Sequence, residues 1–414
     1  MKKVNKSLNG SIWLLLLVWV LFSGCQQKDI QDDTYIEGQD SQFMFQSQGL
    51  PTTIAASEDG YYVSMGCFLY YMDKQTKTPV ILCNKPNCRH ENETDPEKVY
   101  NCNAYVHSQL PGAYLAWYRE NLYTVSNYNP ATGNDKPELI KISPDGSKRD
   151  TVYTFDGEPS FMTLHRGTLY FNAQRYGTDG SSDYQLVALP LSNTRKAEVI
   201  YQGDLEDGYV SDIQCFGTHL YFEEFGMGDD SIQLKIMHYN LLTKETKRIF
   251  TDDDHTLPSN PIITNKRLYY TLTDKSTIDM YNTSPITETF YTASLDGSSN
   301  STAFTLQESG EKFTDGKYIY VIFDDYSKNR RLLRILNEEG KRIDEIDVSF
   351  LPVGQTLCGG DSSSFLIKYK DSDSFYLKYI NKEDFGKGNL LPNLLLQRDS
   401  DKMMPAIVYQ NSQQ

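Results

Sequence analysis

Past an N-terminal apolar run, the chain alternates short apolar segments with polar turns and shows no useful stretch of helical periodicity. One cluster recurs, a turn residue followed by two aromatics or an aliphatic–aromatic pair. It reads Gly60-Tyr61-Tyr62, Leu122-Tyr123, Leu169-Tyr170-Phe171, Leu220-Tyr221-Phe222, Leu268-Tyr269-Tyr270, Ile319-Tyr320-Val321 and the weaker Phe365-Leu366-Ile367. Between positions 62, 123, 170, 221, 269, 320 and 366 the steps are 61, 47, 51, 48, 51 and 46 residues. A period of about fifty residues is the regularity of propeller blades.

Each unit repeats one grammar. A short apolar strand leads in, such as Ala113-Tyr114-Leu115-Ala116-Trp117, and the aromatic strand follows. A third, alternating strand then enters a hairpin turn: Ser143-Pro144-Asp145-Gly146, Leu295-Asp296-Gly297, Glu338-Glu339-Gly340, or the Thr/Lys-rich equivalent at Thr243 to Lys247. Gly in such turns supplies the positive φ that the hairpin demands. A fourth strand such as Thr151-Val152-Tyr153-Thr154-Phe155 closes the unit. The expected fold is therefore all-β, a β-propeller of seven four-stranded blades, with six or eight as alternative ring sizes. The Tyr-rich strands read as packing between blades, the ring filling space while the hydroxyl finds a partner. Ring closure is expected to use a strand from one terminus, Phe43-Met44-Phe45 or Ala406-Ile407-Val408-Tyr409.

Composition adds an address and excludes a ligand class. The 414 residues carry 55 acidic against 40 basic side chains and a net charge of −15, which argues against nucleic acid. At the N-terminus, Lys2, Lys3 and Lys6 precede eleven uninterrupted apolar residues, Ile12 to Phe22. That pattern is an export signal, too short to span a bilayer comfortably. It ends in Leu21-Phe22-Ser23-Gly24-Cys25, and the following stretch, Gln26 to Gln42, is polar and acidic.

The sequence Leu21 to Cys25 resembles a bacterial lipobox, although Leu stands four residues before the cysteine rather than three. The resemblance implies that Cys25 is lipidated, becomes the mature N-terminus and anchors the protein to the extracytoplasmic face of the cell membrane. Removal of three lysines with the signal takes the charge from −15 to −18. The expected organisation is a signal peptide over 1–24, an acidic polar tether over 25–45 that is solvated, and one propeller domain over 46–414 with a Cys-rich insertion at about 83–105. The repeat itself, a Leu-Tyr-(Tyr/Phe) strand followed by an Asp-Gly-Ser hairpin, resembles YWTD-type and TolB-type β-propellers, best at Leu139 to Phe155 and Arg267 to Leu306. The YWTD tetrad is absent, and Leu268-Tyr269-Tyr270-Thr271 comes nearest to it. The resemblance implies fold and carries no ligand across.

One cluster has metal-binding chemistry. Cys83-Asn84-Lys85-Pro86-Asn87-Cys88-Arg89-His90 is followed by Cys102, in the insertion that makes the first repeat step long. Cys83, Cys88, His90 and Cys102 offer three sulfurs and one imidazole, the donor set of a closed, structural zinc site, at a spacing unlike the common zinc motifs. Two of the three cysteines could instead pair as a disulfide outside the cytoplasm, or all could be free thiols. Cys67, Cys215 and Cys358 lie in strand-like apolar contexts and read as small buried hydrophobes. His165 and His219 recur just before the aromatic strands of units three and four, which reads as a packing or turn position. Acidic runs at Asp252-Asp253-Asp254 and Asp324-Asp325 read as solvated turns.

No G-x-S-x-G elbow, H-E-x-x-H, P-loop or dinucleotide fingerprint is present. Ser57-Glu58-Asp59-Gly60 and Ser143-Pro144-Asp145-Gly146 lack the spacing and tryptophan of sialidase boxes. No catalytic residue is assigned. The expectation is a binding or protein-interaction module at the cell envelope, recognising a peptide, glycan or envelope protein. The alternatives are a propeller hydrolase or lyase acting on glycan or peptide, and a purely structural envelope module.

Overall fold

The computed structural model describes residues 32–42, 52–107, 113–127, 136–176, 182–227, 232–251, 256–264, 266–274, 287–308, 310–352, 357–388 and 390–403. Cys25, the expected export signal and both expected closing strands lie outside these residues. A compact unit begins at Asp33.

Seven antiparallel sheets of four strands each are formed by strands consecutive in the chain, spanning 54–81, 115–154, 159–202, 206–251, 256–306, 311–347 and 357–399. These are blades 1 to 7. The aromatic cluster is the second strand of every blade, as its period predicts. In blade 1, for example, Gly60–Met65 pairs with Phe68–Asp73 so that Tyr62 faces Tyr71 across the ladder. Turns between third and fourth strands carry the predicted glycines with positive φ: Gly146 at 73°, Gly297 at 71° and Gly340 at 74°.

Alternation along each strand puts side chains on both sheet faces, and both faces are covered by neighbouring blades. The apolar residues accordingly form seven clusters, each bridging two adjacent blades, and the cluster that joins Tyr70 and Met72 to Leu377 and Leu396 closes the ring. Among the described residues every blade is complete from its own four strands, and blades 7 and 1 meet by packing. At that seam Lys368 of blade 7, 1% exposed, donates to the Ser64 carbonyl of blade 1 at 2.6 Å. Buried tyrosines find hydroxyl partners as expected: Tyr184 donates to Glu224 at 2.6 Å and Tyr320 to Asp315 at 2.7 Å. Cys67, Cys215 and Cys358 are buried.

The first strands, among them Ile54–Ala56, Leu115–Tyr118, Pro159–His165 and Glu311–Thr314, surround a central channel. Its cavity is narrow, about 60 Å³, and residues Asp40, Ser41 and Gln42 contribute to its lining. Among the described residues no helix is long and apolar enough to cross a membrane.

Candidate metal centre and channel mouth

The insertion after blade 1 folds by local rules. Pro86 and Asn87 lie in a turn in which the Cys88 N–H donates to the Lys85 carbonyl at 3.3 Å. A single helical turn, His90–Asn92, follows, with His90 in the left-handed region at φ 55°. The short helix Pro96–Tyr100 starts with Pro at its first position, and the Asp95 side chain accepts from Glu97 N–H at 3.1 Å. That helix delivers Cys102, whose N–H donates to the Val99 carbonyl at 3.0 Å, back to Cys83. Outside the centre, Glu91 accepts from the Tyr70 hydroxyl and pairs with Arg398 of blade 7 at 2.8 Å.

The four donors predicted from sequence converge. The ligand atoms of Cys83, Cys88, His90 and Cys102 all lie within 4.8 Å of one another, and Cys102 Sγ is 3.7 Å from His90 Nδ1. A zinc tetrahedron with Zn–S of about 2.3 Å and Zn–N of about 2.0–2.1 Å has edges of roughly 3.5–3.8 Å. The group could therefore hold a metal ion with small side-chain shifts. Among the described residues no cysteines are joined by a disulfide. Burial opposes ionisation of the Cys83 thiol, but the N–H groups of Lys85 and Asn103, with the other two thiols, outweigh it and bring its pKa below the ordinary value. Burial pushes the Cys102 thiol up.

Sequence reasoning missed Arg149, on the fourth strand of blade 2. Its guanidinium is buried, donates from Nη1 to the Tyr105 carbonyl at 2.6 Å, and leaves Nε and Nη2 without a hydrogen-bond partner. Burial lowers its pKa to about 10, while the charges of Cys102 and Cys83 act to raise it. Three thiolates around a divalent ion carry one net negative charge, and a buried guanidinium nearby balances it.

The second feature is the channel mouth. Residues 33–42, expected within a solvated tether, are instead fixed on the ends of the first strands. Arg166 grips Asp40 through Nε at 2.8 Å and Nη2 at 3.2 Å, and its Nη2 also donates to the Thr34 carbonyl at 3.0 Å. Asp33 accepts from the Thr218 N–H and hydroxyl, both at 2.9 Å, and lies 3.4 Å from His219 Nε2. Gln42 bridges to Ala56 as both donor and acceptor. An acidic, polar stretch reads as solvated by composition, yet its carboxylates meet cations and N–H groups exposed at turns.

The recurring histidines belong to this contact. The His165 ring, 0% exposed, accepts from the Ser41 N–H at Nδ1 (3.0 Å) and donates from Nε2 to the Gly217 carbonyl at 2.9 Å. This pairing needs the neutral ring, and burial lowers the pKa to about 4, with Arg166 adding to the effect and Asp40 and the Gly217 carbonyl opposing it. His219 stacks on His238, and their ring nitrogens are 2.7 Å apart. A His with its pKa depressed below about 6.5 gives stability that is complete above that pH and is lost as pH falls toward 4. At pH 5 the His165 contribution is expected to be about 2 kcal/mol smaller than at pH 7. Thermal melts of wild type and His165→Gln should converge as pH drops from 7 to 5; parallel curves would show that this ring is not responsible.

Around the channel several charges are paired: Lys382 with Asp315 and Lys74 with Asp361 at 2.7 Å beyond the ends of the first strands, and Lys312 with Glu288 at 2.7 Å. His107 is buried with the Tyr105 hydroxyl 3.1 Å from Nδ1. His255 and Asp252 to Asp254 lie outside the described residues, and Asp325 of the other acidic run faces Lys328 and Arg330.

No family model matches the chain, and no curated protein matches it in sequence. Solved structures do share its fold. An oligogalacturonate lyase in complex with manganese superposes with a TM-score of 0.51 at 13% identity, over 82% of this chain and 98% of that one. Prolyl oligopeptidase B from Galerina marginata superposes with a TM-score of 0.51 at 9% identity, over 96% of this chain and 57% of that one. TolB from Acinetobacter baumannii aligns at 15% identity and a TM-score of 0.40, over 82% of this chain and 78% of that one. At these identities the likeness shows the β-propeller fold alone.

Proposed function

We propose that the chain is a lipid-anchored propeller on the extracytoplasmic face of the cell membrane, acting as a binding or protein-interaction module with one structural zinc ion. The observation that carries the binding reading is the channel mouth. The channel below it is narrow and partly lined by the chain's own residues 40–42, and the two charged side chains of that lining, Asp40 and Lys312, are spent in ion pairs with Arg166 and Glu288. Recognition then falls to the surfaces between and around the blades. Zinc is favoured at Cys83, Cys88, His90 and Cys102 because three thiols and an imidazole are soft and intermediate donors, whereas manganese prefers carboxylate, carbonyl and water oxygens. Four protein donors leave no open position, so the ion's role is structural.

The anchor is tested by metabolic labelling with a palmitate analogue. Wild type is expected to be labelled and Cys25→Ala to lose all label; label retained in Cys25→Ala would refute lipidation at this residue. The competing reading, a glycan lyase, is tested by incubating purified protein with oligogalacturonate and manganese. The binding reading expects the oligomers to remain intact, and cleavage above a heat-killed control would overturn it.

A further inference from the structure

We propose that the cleft between blades 1 and 2 is a binding site for a small organic ammonium ion. The cleft has a volume of about 600 Å³, the size of a small-molecule site. Three aromatic rings contribute to its wall: buried Tyr62, with half-buried Tyr71 and Trp117 on either side of the blade seam. Tyr62 stacks on Trp117 with centroids 5.1 Å apart and planes at 14°, and lies 5.2 Å from the Tyr71 ring. The arrangement is held from behind. The Tyr62 hydroxyl donates to the Pro144 carbonyl at 3.1 Å, and Gly60 leaves room for Tyr71, whose ring and hydroxyl atoms would lie 2.4–2.6 Å from a Cβ there.

The rim supplies charge of one sign. Glu58 and Asp59 come from the turn between the first two strands of blade 1, while Glu120 and Asp145 come from two turns of blade 2. All four are exposed, and none is ion-paired among the described residues. No Lys, Arg or His lines the cleft. The basic side chain bonded to the rim backbone, Lys74, is committed to the Ser57 carbonyl and to Asp361. Asp145 accepts from the Ser147 N–H and from the Ser143 and Ser147 hydroxyls, which hold its pKa at about 2 and keep it ionised. This differs from Asp40 and Asp315 at the channel mouth, which are matched to Arg166 and Lys382.

Rings in the wall and carboxylates on the rim attract a cation in two ways, through the ring quadrupole and through the charge. A small metal ion holds its water tightly, so it gains little from the rings and would not fill the space. An alkylated ammonium, weakly hydrated and bulky, uses both. Cys83, one of the four metal donors, also borders the cleft, while the rings and the rim carboxylates come from blades 1 and 2 themselves.

The protein contains its own reporter. Its three tryptophans are Trp13 and Trp19, both in the export signal, and Trp117 in the cleft. Full-length protein carrying Trp13→Phe and Trp19→Phe, in detergent, is titrated with choline chloride at constant ionic strength. The neutral isostere 3,3-dimethylbutan-1-ol serves as comparison. Choline is expected to change Trp117 emission saturably and to bind at least about tenfold more tightly than the alcohol. Tyr71→Leu and, separately, Glu120→Gln in its exposed turn should each weaken choline several-fold; the second variant touches no core and guards against misfolding of the first. Equal response to choline and the alcohol, no saturable response to choline, or unchanged affinity in folded Glu120→Gln and Tyr71→Leu would overturn the proposal.

Discussion

Chelation of the metal at Cys83, Cys88, His90 and Cys102 is expected to lower the melting temperature by at least about 5 °C, because binding to a preformed site adds its free energy to folding. Protein purified without chelator should hold one zinc per chain by elemental analysis. Cys102→Ser should lose the zinc and melt like the chelated wild type, since Cys102 is the buried member that ties the helix Pro96–Tyr100 back to blade 1. The effect should reach blade 7, because the insertion packs on Leu396 and holds Glu91 beside Arg398. Arg149→Met should weaken zinc retention without removing a ligand, the expected behaviour of a charge-balancing neighbour, whose loss typically costs about 10–100-fold in metal affinity. A metal-free protein with oxidised cysteines and a melting temperature indifferent to chelator would replace the zinc site by a disulfide.

The second large effect concerns the ring seam. Lys368 is fully buried and burial lowers its pKa to about 7. A lysine whose folded pKa lies below its unfolded value of about 10.4 disfavours folding whenever the unfolded chain is protonated, so stability should rise between pH 7 and 10. Lys368→Met removes the burden while keeping the volume and should stabilise the protein by about 1–4 kcal/mol at pH 7. That gain should shrink by pH 10, where the wild-type amine is already neutral. Denaturant unfolding at both pH values separates the outcomes. A Met variant less stable at pH 7 would mean that the bond to the Ser64 carbonyl outweighs desolvation at this seam.

The blades were legible because packing between sheets is periodic and leaves its period in Leu169-Tyr170-Phe171 and its relatives. Turn glycines at 146, 297 and 340 were legible because only a few residues tolerate their φ. The metal donors were legible by proximity in the chain. What escaped was tertiary. Arg149 reaches the thiols from the next blade, and no local pattern marks it. The recurrence of His165 and His219 was visible, but their partners lie in an acidic stretch, Asp33 to Gln42, whose composition says solvent while its geometry supplies specific acceptors. Tyr62, Tyr71 and Trp117 belong to the same aromatic pattern that packs the blades, so nothing local marks them as a cleft wall.

The central claim, a membrane-tethered binding propeller, is tested most directly by cleavable crosslinking on intact cells, comparing wild type with Cys25→Ala. The account expects wild type to capture one dominant envelope partner reproducibly and the detached Cys25→Ala protein to lose it. Absence of any dominant partner, together with cleavage of oligogalacturonate by the purified protein, would contradict it.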